Sequence, residues 1–390
     1  MQFNPNVLDC ASAPIAEAWS WVLEPQSAKL IDMCQAVPAH LPPQSLRDYL
    51  GEAIKAGEGA TYTDIRGIAP LREALAENIS TRYQGSVDAG DILITAGCNQ
   101  AFCSVVDVLC REGDELIVPL PCYFNHQMWL STRGVTPRYL SFNAETGMPD
   151  PAEARTLINE RTRGILLVTP NNPCGAIYTP GRIAEFFDLA AEHGIALITD
   201  ETYRDFIDIE QTPHGLFARD DWRETLVHLY SFSKVFSLTG FRTGAVAASQ
   251  ALLEQLKKVQ DCTAICAPHA GQLAALYGLR HLHDWKLEKS DELARRAVAI
   301  REAFDNPQLD YRLITAGAYF AYVEHPFAEP ARDVVRRLVQ EHELICLPGS
   351  YFGPEQENFI RLAFANVHES RFDDMIHRLL ASQQIMGKRA

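Results

Sequence analysis

Between residues 90 and 250, short apolar, β-branched runs alternate with longer stretches of helical periodicity, and this alternation constrains the fold more than any other feature. The runs lie at 91–95, 115–120, 164–169, 195–199, 225–230 and 244–248. Several are apolar at almost every position, as a strand must be when helices cover both of its faces. One intervening helix is fully punctuated. Thr179 stands as N-cap, Pro180 at the first helical position, Ile183, Phe186, Phe187 and Ala190 as an apolar stripe, and Gly194 after the end. Such repetition predicts an α/β fold whose large domain has a mostly parallel central sheet flanked by helices.

Past residue 280 the texture changes. The stretch 281–306 is charged and helical, and 331–343 and 370–386 read as further helices beside apolar runs at 319–324, 344–347 and 359–364. This mixture predicts a smaller α+β domain. Six prolines within the first 45 residues predict an irregular arm. The expected organisation is an arm joined to part of the small domain over 1–45, a large domain over 46–280, and a small C-terminal domain over 281–390.

Composition narrows the function classes. A hydrophobic content of 47% suits a folded chain, and a net charge of −15 repels phosphate backbones and anionic lipid. Neither a nucleic acid nor a membrane is therefore expected as a partner. No apolar run approaches the ~18 residues of a membrane helix, and Met1-Gln2-Phe3-Asn4 opens no basic-then-apolar leader. The ten cysteines form no CxxC pair and read as reduced thiols of a cytoplasmic protein. His281, His283 and Asp284 open a charged helix without a fourth ligand, so no metal site is expected.

In an open parallel sheet, ligands sit beyond the carboxyl ends of the strands, and four ends here carry chemistry. The run 91–95 leads into Ala96-Gly97-Cys98-Asn99, a small turn whose free N–H groups at a helix start suit a phosphate. The run 164–169 leads into Pro170-Asn171-Asn172-Pro173-Cys174-Gly175, a rigid turn that leaves an amide at the sheet edge. The run 195–199 leads into Asp200-Glu201-Thr202-Tyr203, where a carboxylate needs a cation or donors. The run 225–230 leads into Ser231-Phe232-Ser233-Lys234, with Arg242 eight residues on. Desolvation there favours a neutral, nucleophilic amine, and the arginine suits a bidentate phosphate contact. Singly, these are a strand–helix turn, an Asx-turn, an N-cap and a surface lysine. Their joint occurrence in this order is harder to dismiss.

Together with Phe359-Ile360-Arg361-Leu362-Ala363-Phe364, these motifs resemble the class I/II, fold-type I pyridoxal-phosphate-dependent aminotransferases over nearly the whole chain. The resemblance implies pyridoxal 5'-phosphate as cofactor and 46–280 as the domain that binds it. It implies that Lys234 is the Schiff-base lysine and proton shuttle, and that Asp200 pairs with the pyridine nitrogen. Asn172 and Tyr203 would bond the ring's phenolic oxygen. Gly97, Cys98, Asn99, Ser231 and Arg242 would form the phosphate cradle. Tyr123 would stack on the ring, and His126 would support Asp200 from behind. Tyr62 would reach the phosphate of a neighbouring subunit, which implies a homodimer. Arg361, with Asn172, would hold the substrate α-carboxylate, and Trp19 is a candidate for the entrance.

Three departures qualify the match. The segment 32–38 lacks the glycine frequent there, Cys98-Asn99 replaces a frequent Ser or Thr, and 261–269 lacks the second arginine of the aspartate-specific branch. Burying a second carboxylate needs its own cation. The expected reaction is therefore transamination between an L-amino acid with a neutral or aromatic side chain and a 2-oxo acid. The same first deprotonation also serves β-elimination at a sulfur-bearing side chain, so a C–S lyase stands as the alternative. A ligand-sensing regulator would need a basic DNA-binding domain, which a proline-broken, non-basic arm does not provide.

Overall fold

A computed structural model describes residues 1–208 and 211–384 of the chain. Proline punctuation divides the arm into two short helices, Pro5–Leu8 and Pro14–Ser20, each starting on its proline, ahead of a two-residue strand β1 (Ile31–Asp32). Seven strands follow: β2 (Ile92–Thr95), β3 (Glu115–Pro119), β4 (Thr136–Leu140), β5 (Thr162–Val168), β6 (Ala196–Asp200), β7 (Leu226–Ser231) and β8 (Gly244–Ala247). All six expected runs are strands, displaced by one or two residues at their ends. The additional strand, β4, alternates exposed and half-buried positions and carries Pro137, the pattern of a sheet edge rather than a buried centre.

These strands form one sheet in the order β2-β8-β7-β6-β5-β3-β4. Every pair from β7 to β4 is parallel, and β8 runs antiparallel to both β7 and β2. Consequently β2 points the same way as β7. The carboxyl ends of β2, β3, β5, β6 and β7 and the amino end of β8 all meet at one edge. Alternate side chains of each strand serve opposite faces. Leu93, Leu166, Ile198, Val227 and Val246 pack with Ala101, Phe102 and Val105 of the helix Cys98–Leu109. Ile94, Ile165, Leu167, Leu197 and Ala245 join Leu71, Leu75, Ile183 and Phe187 of the helices Ala69–Tyr83 and Pro180–Glu192 on the other face. The latter helix begins where the sequence indicates: the Thr179 hydroxyl accepts from the Arg182 amide at 3.2 Å.

A second sheet is built from β9 (Arg312–Gly317), β10 (Phe320–Glu324), β12 (Leu347–Pro348) and β13 (Phe359–Ala363), all antiparallel, in the order β12-β13-β10-β9. The run 344–347, expected as one strand, divides at Cys346. Its first half, β11 (Leu344–Ile345), pairs instead with β1, so the arm is hydrogen-bonded to the C-terminal part of the chain. Helices His283–Phe304, Ala331–His342 and Phe372–Gln383 accompany this sheet. The residues 385–386, expected to extend the last helix, lie outside the described residues. Among the described residues no helix is long and apolar enough to cross a membrane.

Candidate active site

The shared sheet edge opens into a cavity of about 410 Å³, within the range of ligand pockets. Ten of the thirteen residues singled out in the sequence line it: Cys98, Asn99, Tyr123, Asn172, Asp200, Tyr203, Ser231, Lys234, Arg242 and Arg361. The other three lie elsewhere. Gly97 backs the cavity wall, His126 sits behind Asp200, and Tyr62 stands apart on the surface, 76% exposed. From the arm, Ile15 rather than Trp19 reaches the cavity.

Lys234 sits in the single helical turn Phe232–Val235 that follows β7, capped by the Ser231 hydroxyl accepting from the Ser233 amide at 3.2 Å. Its Nζ donates to the Ala36 carbonyl. Burial, reinforced by the nearby charges of Arg242 and Arg361, lowers its pKa from 10.5 to about 8. The segment without the expected glycine thus meets the lysine through a backbone oxygen, which any residue supplies.

Asp200 ends β6 and is 5% exposed. Burial alone would raise its pKa. Hydrogen bonds from His126 and Thr202 outweigh that effect and hold it below the ordinary value. His126 Nε2 lies 3.3 Å from Oδ2, and since a carboxylate only accepts, that nitrogen carries the proton. The two asparagines of the proline-bracketed turn divide their tasks. Asn171 Oδ1 accepts the Cys174 amide at 3.0 Å and shapes the turn, whereas Asn172 Oδ1 faces the cavity and accepts from Arg361 Nη1 at 3.1 Å.

Arg361 arrives from β13 of the second sheet and is 2% exposed. It donates to Asn172 and to the Cys34 carbonyl, and lies over the rings of Phe320 and Phe352 at 5.1 and 5.2 Å. Its Nε has no hydrogen-bond partner, and no carboxylate of the described residues forms an ion pair with it. Burial lowers its pKa. A buried guanidinium left in this state is a receptor for an anion.

Gly97 adopts φ +87°, and a Cβ there would come within 2.2 Å of Arg242 Nη2. Opposite, a Cβ on Gly244 would come within 2.6 Å of the Cys98 amide nitrogen. Two glycines therefore let the Arg242 guanidinium and the amides at the start of the helix Cys98–Leu109 close around one point, with Ser231 and Ser233 beside them. Arg242 Nη1 is 3.3 Å from Ser233 Oγ. This donor set fits a phosphate group. Tyr123 and Tyr203 line the same cavity, with Tyr203 packed on Tyr319 and Phe320 at 5.1 and 5.2 Å. Phosphate cradle, buried carboxylate, lysine and aromatic wall together match the chemical parts of pyridoxal phosphate. Thr202, Ser233, Thr239 and the Ala36 carbonyl also border the cavity without having been assigned a role from the sequence. For Thr202 the available signal was a hydroxyl two residues after a strand-end aspartate.

The sequence matches the family model for "Aminotransferase class I and II" over residues 28–379. The chain is 28% identical to the methionine aminotransferase of Escherichia coli, with 87% of this chain and 89% of the relative covered. It is 25% identical to aromatic-amino-acid aminotransferase 2 of Thermococcus litoralis, covering 92% and 96%. The solved aspartate aminotransferase of Thermus thermophilus with maleate superimposes with a TM-score of 0.89 over 98% of this chain and 100% of that one, at 22% identity.

Proposed function

The chain belongs to the class I and II aminotransferases, which are pyridoxal-phosphate-dependent, and from that premise we propose that it transfers the amino group of an L-amino acid with a neutral or aromatic side chain to a 2-oxo acid. One observation carries this reading: a single cavity brings Lys234, Asp200 and the partner-seeking Arg361 together.

Arg361 binds the substrate α-carboxylate, and the Asn172 amide fixes the plane of the guanidinium. Arg242, Ser231 and the amides of Cys98 and Asn99 bind the cofactor phosphate, while Asp200 holds the proton on the pyridine nitrogen. The bound cofactor supplies an electron sink for the pair left when the Cα–H bond breaks. Lys234 would hold the cofactor covalently through Nζ and, once freed by substrate, its neutral amine would take the proton from Cα and deliver it to the cofactor carbon that had held the lysine. With its pKa lowered to about 8, about a quarter of the amine is neutral at pH 7.5, about 240-fold more than at the unshifted value of 10.5. Tyr123 stacks on the ring and keeps water from that face, and Tyr203 and Asn172 hydrogen-bond its phenolic oxygen.

The side-chain preference rests on counting cations. The three that line the cavity, Lys234, Arg242 and Arg361, are all allotted. Arg133 is engaged by Asp107 at 2.8 Å, and Arg66 stands outside the cavity beside Asp64. The relatives' names include methionine and aromatic aminotransferases, which agree with a neutral or aromatic donor, and aspartate aminotransferases, which do not, so the preference rests on the cations alone. Tyr62, bare in one subunit, is read as reaching the cavity of a second copy, which makes the active unit a homodimer.

The test is borohydride reduction of the holoenzyme followed by peptide mapping, then kcat/KM over a panel of amino donors. Label on Lys234, with methionine, leucine or phenylalanine leading aspartate and glutamate, supports the reading. Label on another lysine, or a tenfold lead for aspartate, overturns it. Pyruvate and ammonia formed without an oxo-acid acceptor would instead identify the C–S lyase.

A further inference from the structure

The donors around Asp200 are unevenly divided between its two oxygens. Oδ1 accepts from the Thr202 amide at 3.1 Å, from the Thr202 hydroxyl at 2.7 Å, and from the Cys98 thiol at 3.6 Å. Oδ2 lies 3.3 Å from His126 Nε2 and accepts none of these three donors. An ionised carboxylate offers about four lone-pair sites in all, so three donors occupy Oδ1 fully and leave the open acceptor position on Oδ2. Nothing in the strand itself dictates this arrangement. The amide contact is the local turn that any Asp-x-x sequence can form, but the hydroxyl contact requires Ser or Thr at 202.

We infer that Thr202 is a positioning residue for the transamination: its hydroxyl, assisted weakly by the Cys98 thiol, locks Oδ1 of Asp200 so that Oδ2 is the oxygen presented to the cofactor's ring nitrogen. This rests on the reading of Asp200 given above. Thr202 itself touches neither substrate nor ring in the mechanism. It acts by holding the carboxylate in one rotamer and by withdrawing charge from the oxygen that does not pair. A hydrogen bond to a charged group is among the stronger ones, whereas a thiol is a weak donor, so the hydroxyl dominates.

The experiment measures the dissociation constant of pyridoxal phosphate from each apoprotein by equilibrium dialysis, and kcat and KM for the amino donor, in wild type, Thr202→Val and Thr202→Ser. Thr202→Val keeps the branched shape and the backbone contact and removes only the hydroxyl donor. Its cofactor affinity is expected to fall about tenfold and kcat to fall with it, while KM for the amino donor stays within twofold. Thr202→Ser restores both quantities to within about twofold of wild type. Equal affinity and kcat in wild type and Thr202→Val overturn the inference. So does an equal loss in Thr202→Ser, since the serine keeps the hydroxyl donor. If Thr202→Val does not fold, Thr202→Ala, which also lacks the hydroxyl, takes its place, and wild-type affinity and kcat in that variant overturn the inference. Wild-type apoprotein that fails to bind pyridoxal phosphate at all would overturn the active-site reading itself, a result distinct from any difference among the variants.

Discussion

Replacing Arg361 tests the carboxylate receptor most directly. An arginine has five N–H donors. Here one is committed to Asn172 and another to the Cys34 carbonyl, and the Nε–H is buried without a partner. The planar fork is thereby held in place with donors left for a two-point contact to a carboxylate. Arg361→Lys keeps the charge but reduces that contact to a single point. Losing one charge-assisted hydrogen bond costs about 1.5–3 kcal/mol, which is about a 10- to 150-fold loss of kcat/KM. Arg361→Leu leaves the substrate carboxylate unpaired in a desolvated pocket. That costs about 3–5 kcal/mol, or about a 150- to 5,000-fold loss. The carboxylate is bound alike in ground and transition states, so KM should carry most of the change. The assay is steady-state kinetics with methionine or phenylalanine as donor, with circular dichroism of each apoprotein to establish that the fold is intact. A kcat/KM within threefold of wild type for both variants would refute the assignment.

Lys234→Met should stabilise the apoprotein at pH 7, because the native state carries a lysine whose pKa, about 8, is depressed from 10.5. Between those two values the unfolded chain binds the extra proton, so wild-type stability rises with pH and the advantage of the variant shrinks as pH climbs from about 8 to 10.5. Thermal melts at pH 7, 9 and 10.5 check this, and a difference independent of pH would count against the depressed lysine. Gly97→Ala should cost about 1 kcal/mol or more of stability and most of the cofactor affinity, since φ is +87° and the new Cβ would collide with Arg242 Nη2. Dialysis against pyridoxal phosphate reads the second effect, and unchanged binding would mean that Arg242 is not held against this turn. Tyr62→Phe should weaken cofactor retention only in a dimer. A sizing column that returns a fully active monomer would remove the partner-subunit role.

Much of this site was legible because its parts are local to strand ends. A buried parallel strand must be apolar, so a carboxylate, a lysine or a bracketed asparagine at its end stands out, and the sheet's direction sends Asp200, Lys234 and Asn172 to one edge. The capped helix Pro180–Glu192 was readable for the same reason: a hydroxyl, a proline and a glycine act within a few residues of themselves. The edge strand β4 escaped notice because half of its positions face solvent and mimic a loop. The division of 344–347 between two sheets was hidden because hydrogen bonding to β1 and to β13, not composition, sets it.

What the sequence by itself determined was the strand–helix order, the turn chemistry at the sheet edge and the absence of a spare cation in 261–269. Only the tertiary structure decided which donors face which acceptors. Arg361 meets Asn172 from 189 residues away, the Ala36 carbonyl meets Lys234 from 198, and Cys98 and Thr202 converge on one oxygen of Asp200. Those contacts depend on how two sheets and an arm pack together, and a backbone carbonyl or a guanidinium's unused N–H leaves no mark on residue identity. Packing leaves several buried polar atoms of the described residues without a partner, and among them Arg361 Nε belongs to a residue that lines the cavity, which points to where an anion binds.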